Sequence, residues 1–371
     1  MQRAFSLAMV QVYYGLHNAV EALAAHMSLS DSVHKPHKIQ GAQSSLLAFS
    51  VRAAHTRAVL LCLLTLILPA LSSCRRQAPV IAVIPRTCGT WLWEAEHTGV
   101  AREAPHHGLY VYWNAPMRED DVQRQIEILS ESVQRRAKGV ILSPIEDLPL
   151  RTPVDRTIST GVPVVVIGTD LGLPGSAHLG YVLSDEKAGG MLTAHRIGSI
   201  LHGRGSVAIL GINNRLASTS ERARSLETTL ADEFPGIHVV FRSLALPTVA
   251  QEQQVAERTL TGDSRPDVIV ALSESSTRGA FFALINSHRT HEIPLIGFDQ
   301  NLLAPIRTGE IDSIIILDTM RMGREAMKLM AAELAGQAAR PRIVLQPLLV
   351  TNENIDSPQV RETLDLDWFR Q

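Results

Sequence analysis

The feature that most constrains this chain is a rhythm that begins at Pro79, where short, nearly unbroken blocks of β-branched and other apolar residues alternate with longer amphipathic stretches. The blocks span 79–85, 109–113, 139–143, 162–167, 180–184, 207–211, 238–243, 268–273, 294–299 and 313–317. A strand with one wet face alternates apolar and polar residues. A strand covered on both faces has no reason to alternate, and parallel strands in α/β proteins read that way. The intervening stretches predict helices over 120–136, 187–201, 218–234, 250–260, 276–286 and 320–335. In the first of these, Val122, Ile126, Leu129 and Val133 follow one another at offsets of four, three and four, which draws a single apolar stripe. Strand and helix in strict alternation predict doubly wound parallel sheets. Ten strands overfill one such sheet, so the expected fold class is α/β with two doubly wound parallel-sheet lobes.

The 371 residues suffice for two lobes with separate cores. A formal net charge of −2 supplies no basic field for nucleic acid, so none is expected as a partner. Cys62, Cys74 and Cys88 show neither metal-ligand spacing nor a CxxC pair, so neither disulfides nor a metal is expected to hold the fold.

Ahead of the alternating region lies an address. Arg52 and Arg57 precede an apolar stretch over 58–71, followed by Leu71-Ser72-Ser73-Cys74. About fourteen apolar residues fall short of a membrane span but match the core of a signal peptide. An apolar residue, two small ones and a cysteine resemble a bacterial lipobox, which implies a lipoprotein signal peptide over 51–74 with Cys74 as the lipidated residue; plain secretory cleavage without lipid and a short membrane anchor are the alternatives. Residues 1–50 do not fit in front of such a signal. Their Ser/His/Gln-rich composition over 28–45 reads as unstructured, and Val51 is expected to be the true start of translation.

In open parallel sheets ligands bind beyond the carboxyl ends of the strands. Here those ends read Arg86-Thr87, Ser143-Pro144, Gly168-Thr169-Asp170, Ser184-Asp185, Ser273-Glu274 and Asp299-Gln300, all polar groups fed by apolar strands. Any one of them serves equally well as a strand terminus or helix cap, but six in phase point to one polar site. Enzyme signatures are missing: there is no GxSxG, GxxxxGK[ST], HExxH or GxGxxG. The adjacent His106-His107 and the Cys88 thiol have no partners that would make a catalytic set. No enzyme activity and no cofactor is therefore expected.

The order of motifs resembles the ribose-binding-protein group of periplasmic sugar receptors, which share their fold with the effector domains of LacI-type repressors. Ser184-Asp185-Glu186-Lys187-Ala188-Gly189-Gly190, Ser220-Glu221-Arg222 with Leu226, Ile296-Gly297-Phe298-Asp299 and Met322-Gly323-Arg324-Glu325-Ala326 carry the likeness. It covers about 79–354 and implies a type 1 periplasmic binding protein fold with a three-strand hinge. The implied N-terminal lobe is 79–184 plus 318–346, the C-terminal lobe 185–317 plus 347–356, and 357–371 a tail without a role. By the same resemblance Trp93, with Trp91 close by, is the aromatic that stacks on a sugar ring. Arg222 is the hydroxyl-binding arginine and Asp299 the hydroxyl-accepting carboxylate. Ser143, Asp170, Ser184, Ser273 and Asp318 occupy further ligand positions. Cys88-Gly89-Thr90, Gly168 and Leu317 depart from the family's usual amide and carboxylate groups. The implied protein is a monomeric, lipid-anchored, extracytoplasmic receptor that passes a small polar ligand, a sugar, to an ABC permease. Two other readings stand beside it. One is a lipoprotein that presents its closed form to a sensor kinase or chemoreceptor. The other is a LacI-type regulator core, which an export signal argues against.

Overall fold

The computed structural model describes residues 79–174, 178–262, 265–337 and 342–364, all within the unit Gln77–Gln371. The export signal over 51–74, Cys74 and the segment 1–50 lie outside the described residues. The chain runs β1 (Val80–Ile84), α1 (Trp91–Glu103), a 3-10 turn (Ala104–His107), β2 (Tyr110–Trp113), α2 (Val122–Gln134), β3 (Gly139–Leu142), α3 (Asp147–Ser159), β4 (Val164–Ile167) and β5 (Leu179–Ser184). It continues through α4 (Glu186–Ile200), β6 (Arg204–Ile212), α5 (Ala217–Glu233), β7 (Gly236–Leu244), α6 (Val249–Thr261), β8 (Val268–Ala271), α7 (Glu274–Asn286), β9 (Leu295–Gly297), α8 (Leu303–Thr308) and β10 (Ser313–Ile316). α9 (Thr319–Leu334), β11 (Arg342–Leu345), β12 (Leu348–Thr351) and α10 (Pro358–Leu364) complete it.

The strands form two six-stranded sheets, ordered β2-β1-β3-β4-β5-β11 and β7-β6-β8-β9-β10-β12. The first is parallel throughout; in the second, β12 runs antiparallel to β10. Each sheet is covered on both faces, which is why its strands carry no polar alternation. In the first lobe Val100 of α1 and Met322, Ala326 and Met330 of α9 cover one face, while Ile128, Leu129, Leu150 and Val154 of α2 and α3 cover the other. In the second, α4 and α5 face α6 and α7 across the sheet. Both sheets reverse strand order beside their first strand, so a crevice opens beyond the ends of β1 and β3 in one lobe and of β6 and β8 in the other.

Glycines of the sequence motifs set two helix crossings. A Cβ on Gly190 in α4 would overlap the Arg222 carbonyl of α5. A Cβ on Gly99 in α1 would overlap the Met320 carbonyl of α9, and one on Gly323 the Glu96 carbonyl. Backbones meet at both places, and the side chains of Glu96 and Arg222 are fixed accordingly.

Three expectations need correction. The buried stripe of α2 is Gln125, Ile128, Leu129 and Ser132, rotated from the apolar positions, with Val122 and Ile126 only partly buried. Gln125 causes the rotation. Its amide donates to the carbonyls of Pro85 (3.1 Å) and Ser143 (2.9 Å) and accepts from the Ile145 amide (2.9 Å), tying the ends of β1 and β3 together. Helices α1, α3, α8 and α10 and strands β11 and β12 lie outside the stretches read as helix or strand blocks. The described part of the tail has a structural role, since Val360 and Leu364 of α10 join the second lobe's core.

Candidate functional site

The crevices of the two lobes face one another across a single cavity of about 110 Å³, continuous with a second of about 130 Å³ that shares Arg86, Glu119, Thr219, Ser273 and Ser275. A water needs roughly 10–15 Å³ by this measure, so the first space admits a small molecule but not a polymer. From the first lobe come Arg86 beyond β1, Trp93 and Glu96 on α1, Glu119 ahead of α2 and Gly168 beyond β4. From the second come Glu186 of α4, Arg222 of α5, Ser273 to Ser275 at the start of α7, and Phe298 and Gln300 beyond β9.

The first-lobe wall is built around an indole. Trp93 is buried, and its Nε1 donates to Glu119 Oε1 at 2.8 Å. The Arg86 guanidinium lies over the ring, 5.4 Å from its centre, while its Nε donates to the Pro144 carbonyl at 2.8 Å. Burial pulls Arg86 below the usual arginine value, against the opposing pull of the Glu119 and Asp147 carboxylates. One turn along α1, Glu96 is 1% exposed. Its Oε2 accepts the Ser143 hydroxyl at 2.8 Å, and its Oε1 has no partner. Loss of hydration pushes its carboxyl up to about 7, although the Ser143 bond and Arg86 resist.

The second-lobe wall is built around a guanidinium. Arg222, 5% exposed, donates through Nε to Glu186 Oε2 at 2.7 Å and through Nη1 to the Leu272 carbonyl at 2.6 Å. Its Nη2 also reaches Glu186, and its Cζ lies over the Phe298 ring, 4.0 Å from the ring centre. A guanidinium has five N–H groups, more than these bonds consume, so donors remain for a ligand. Burial raises the Glu186 carboxyl, with Arg222 opposing. Glu274, at the head of α7, is pushed up to about 8 by burial and then by Asp299 and Glu119.

Of the residues marked from sequence, Trp93, Arg222 and Ser273 meet at this cavity. Ser273 is largely engaged as the cap of α7, its hydroxyl shared with Ser276 Oγ at 2.7 Å. The others are not in the lining, and local chemistry explains most of them. Asp299 is fully buried and turned to Arg278 (2.9 and 3.0 Å) and to the amide and side chain of Asn301. Asp170 pairs with Arg342 and caps the Gly172 amide. Asp318 accepts the Arg321 amide as the N-cap of α9. Ser143 supports Glu96 from behind, Ser184 is buried at the end of β5, and Trp91 sits half-buried at the start of α1. Among the described residues no group of His, Cys, Asp and Glu is placed to hold a metal ion.

Residues 81–338 match the family described as periplasmic binding protein domain. The chain belongs to that family. As a periplasmic binding protein it is 23% identical over 222 residues to the D-apiose import binding protein of Actinobacillus succinogenes, covering 59% of this chain and 69% of that one. It is 23% identical over 276 residues to the D-allose-binding periplasmic protein of Escherichia coli, covering 72% and 88%. A carbohydrate transporter solute binding protein from Agrobacterium radiobacter, solved in complex with D-arabinose, matches with a TM-score of 0.72 at 22% identity over 78% of this chain and 99% of that one. An ABC transporter solute binding protein from Bacillus halodurans with bound myo-inositol matches with a TM-score of 0.69 at 18% identity, over 76% and 98%. The two-lobed fold is therefore that of the type 1 periplasmic binding proteins, and the family consists of binding proteins, not enzymes.

Within this periplasmic binding protein, Glu96 and Glu119 escaped the sequence reading, while Arg86 and Glu274 stood among the polar strand ends without being marked as ligand residues. A signal existed for Glu96. It lies three residues after Trp93 and four before Val100, on the inner stripe of α1, where a charge has no solvent to face.

Proposed function

We propose that this chain is an extracytoplasmic solute-binding protein that closes its two lobes on a monosaccharide-sized polyol and delivers it to an ABC permease. The observation that carries the reading is the meeting, in one cavity, of the Trp93 indole from one lobe and the Arg222–Glu186 pair from the other. A sugar ring offers an apolar C–H face and a rim of hydroxyls. An aromatic plate opposite fixed donors and acceptors matches that division, and charge-assisted bonds to the hydroxyls are the stronger ones. The relatives named for D-apiose and D-allose and the neighbours solved with D-arabinose and myo-inositol support the ligand class. Cys74 supplies the membrane tether in this proposal. A Cys74→Ala protein released from the membrane fraction would accord with it, and one retained there would refute the anchor.

The test is a thermal-shift panel of pentoses, hexoses and inositols on residues 75–371. A ligand at a hundred times its Kd adds about 2.7 kcal/mol of stability, a rise of several degrees. A selective rise with one sugar class is the expected result. A folded sample indifferent to every member of the panel overturns the proposal.

A further inference from the structure

When Glu96 is ionised, the cavity carries a charge that a neutral sugar leaves unanswered. Its lining holds four carboxylates (Glu96, Glu119, Glu186 and Glu274) against two guanidiniums (Arg86 and Arg222). The guanidinium of Arg222 is matched to Glu186. That of Arg86 bonds a carbonyl and lies 5.4 Å from the centre of the Trp93 ring, and among the described residues it joins no ion pair. With every group ionised the lining carries a surplus of two negative charges. Hydroxyls can bond those carboxylates but cannot offset them, and in a space from which a ligand expels water an unbalanced charge is costly.

One oxygen marks where the balance fails. Glu96 lines the cavity, and its Oε1 is buried with no hydrogen-bond partner, while Oε2 is held in place by the Ser143 hydroxyl. α1 cannot easily withdraw this side chain, because the helix is pressed to α9 backbone against backbone at Gly99 and Gly323. The groups facing Glu96 are therefore Ser143 from beyond β3, Arg86 from beyond β1, and whatever occupies the cavity.

We infer that the natural ligand is an amino sugar, a polyol bearing one protonated amine, whose ammonium group docks on Glu96 Oε1 at the first-lobe wall. This rests on the sugar-binding reading above and adds the ligand's charge to it. The balance then closes. Glu274, whose carboxyl is pushed up to about 8, stays largely protonated at neutral pH, and the ligand ammonium cancels the charge that remains. An ammonium also carries three donors, which suits a wall richer in acceptors than donors. Docking the cation holds Glu96 ionised, so binding from a neutral Glu96 releases a proton.

Calorimetry on matched pairs tests it: D-glucosamine against D-glucose, D-galactosamine against D-galactose, and D-mannosamine against D-mannose, all at pH 6.5. At least one amino sugar is expected to bind tenfold or more tighter than its neutral parent. Glu96→Gln is expected to remove that preference, bringing the amino sugar and its neutral parent to within threefold of one another. Should Glu96→Gln fail to fold, the native protein still decides, since its amino-sugar affinity is expected to fall at least fivefold from pH 7 to pH 5.5. Neutral sugars binding as well as their amino counterparts in every pair would overturn the inference and leave the sugar receptor standing. A preference that survives in Glu96→Gln would overturn the role of Glu96. No binding by these pairs or by the pentoses and inositols would overturn both readings together.

Discussion

At the scale of the residue, the site is shaped by carboxyl groups kept away from water. Glu96 and Glu274 titrate near 7 and 8 because burial penalises their charged forms, against a starting value of 4.5 for both. A carboxyl whose value is higher in the folded chain than in the unfolded one takes up a proton on folding. Its contribution is complete below about pH 4.5 and is lost as pH rises through the folded value. Ligand-free protein is therefore expected to lose stability between about pH 5 and pH 8, the opposite of the usual behaviour of an ion-paired carboxylate. Each pH unit shifted corresponds to roughly 1.4 kcal/mol, so the Glu96 share is on the order of 3 kcal/mol. Glu96→Gln, which cannot ionise, should flatten the fall of Tm with pH and melt above the native protein at pH 8. Parallel Tm profiles for the two proteins would show that Glu96 is not the group responsible. The same scale explains which marked residues stand outside the cavity. Asp299 and Asp170 look like ligand acceptors until their partners Arg278 and Arg342 are seen beside them, and a pairing across 172 positions leaves no trace in a single sequence.

At the scale of the element, the strands were legible because burial on both faces removes polar alternation, and each block of the sequence coincides with a strand of the sheets. Helices whose inner faces are apolar were legible as well. α1 was not, since its inner face is Trp93, Glu96, Gly99 and Val100, where a carboxylate and a glycine interrupt the stripe. α3 has Pro153 inside it and buries only Leu150, Val154, Asp147 and Thr157. What hides α1 from periodicity is what makes it useful, for the glycine brings it onto α9 and the carboxylate serves the cavity. Gly99→Ala puts a methyl group into the Met320 carbonyl, and α1 must move to accommodate it. Overpacking of this kind costs about 1–3 kcal/mol. The expected result is a Tm lower by several degrees together with weaker ligand binding, because Trp93 and Glu96 move with the helix. The matching change Gly108→Ala, at a positive φ with open space around the new methyl, should cost stability without affecting binding. Equal losses of affinity in the two variants would mean that the α1–α9 crossing does not position the site.

At the scale of the molecule, the mouth of the cleft is held by bonds that cross between lobes outside the 110 Å³ cavity, with Glu146 and Arg215 lining the 130 Å³ one that adjoins it. Asp147, at the first turn of α3, accepts the Ala217 amide at the head of α5 with one carboxylate oxygen and the Thr169 hydroxyl (2.9 Å) with the other. Its own amide donates to the Arg215 carbonyl at 3.2 Å, and Arg215 reaches Glu146 at 2.6 Å. A carboxylate that caps the helix of the opposite lobe is available only when the lobes meet, so Asp147 favours the closed arrangement. Losing such a cap costs about 1 kcal/mol. The Glu146–Arg215 pair is mostly solvated on the arginine side and is worth between nothing and about 1 kcal/mol. Apparent affinity scales with the fraction of molecules in the binding-competent state, so a shift toward open molecules weakens binding without touching a ligand contact. Asp147→Ala is expected to raise Kd about three- to tenfold, Arg215→Ala by no more than about twofold. In small-angle scattering, ligand-free Asp147→Ala should be more extended than the native protein, and saturating ligand should bring the two to the same radius. If both variants weaken binding equally, or if the scattering of the ligand-free forms is identical, closure is set by the hinge strands and the ligand alone, and the cap contributes only to the stability of α5.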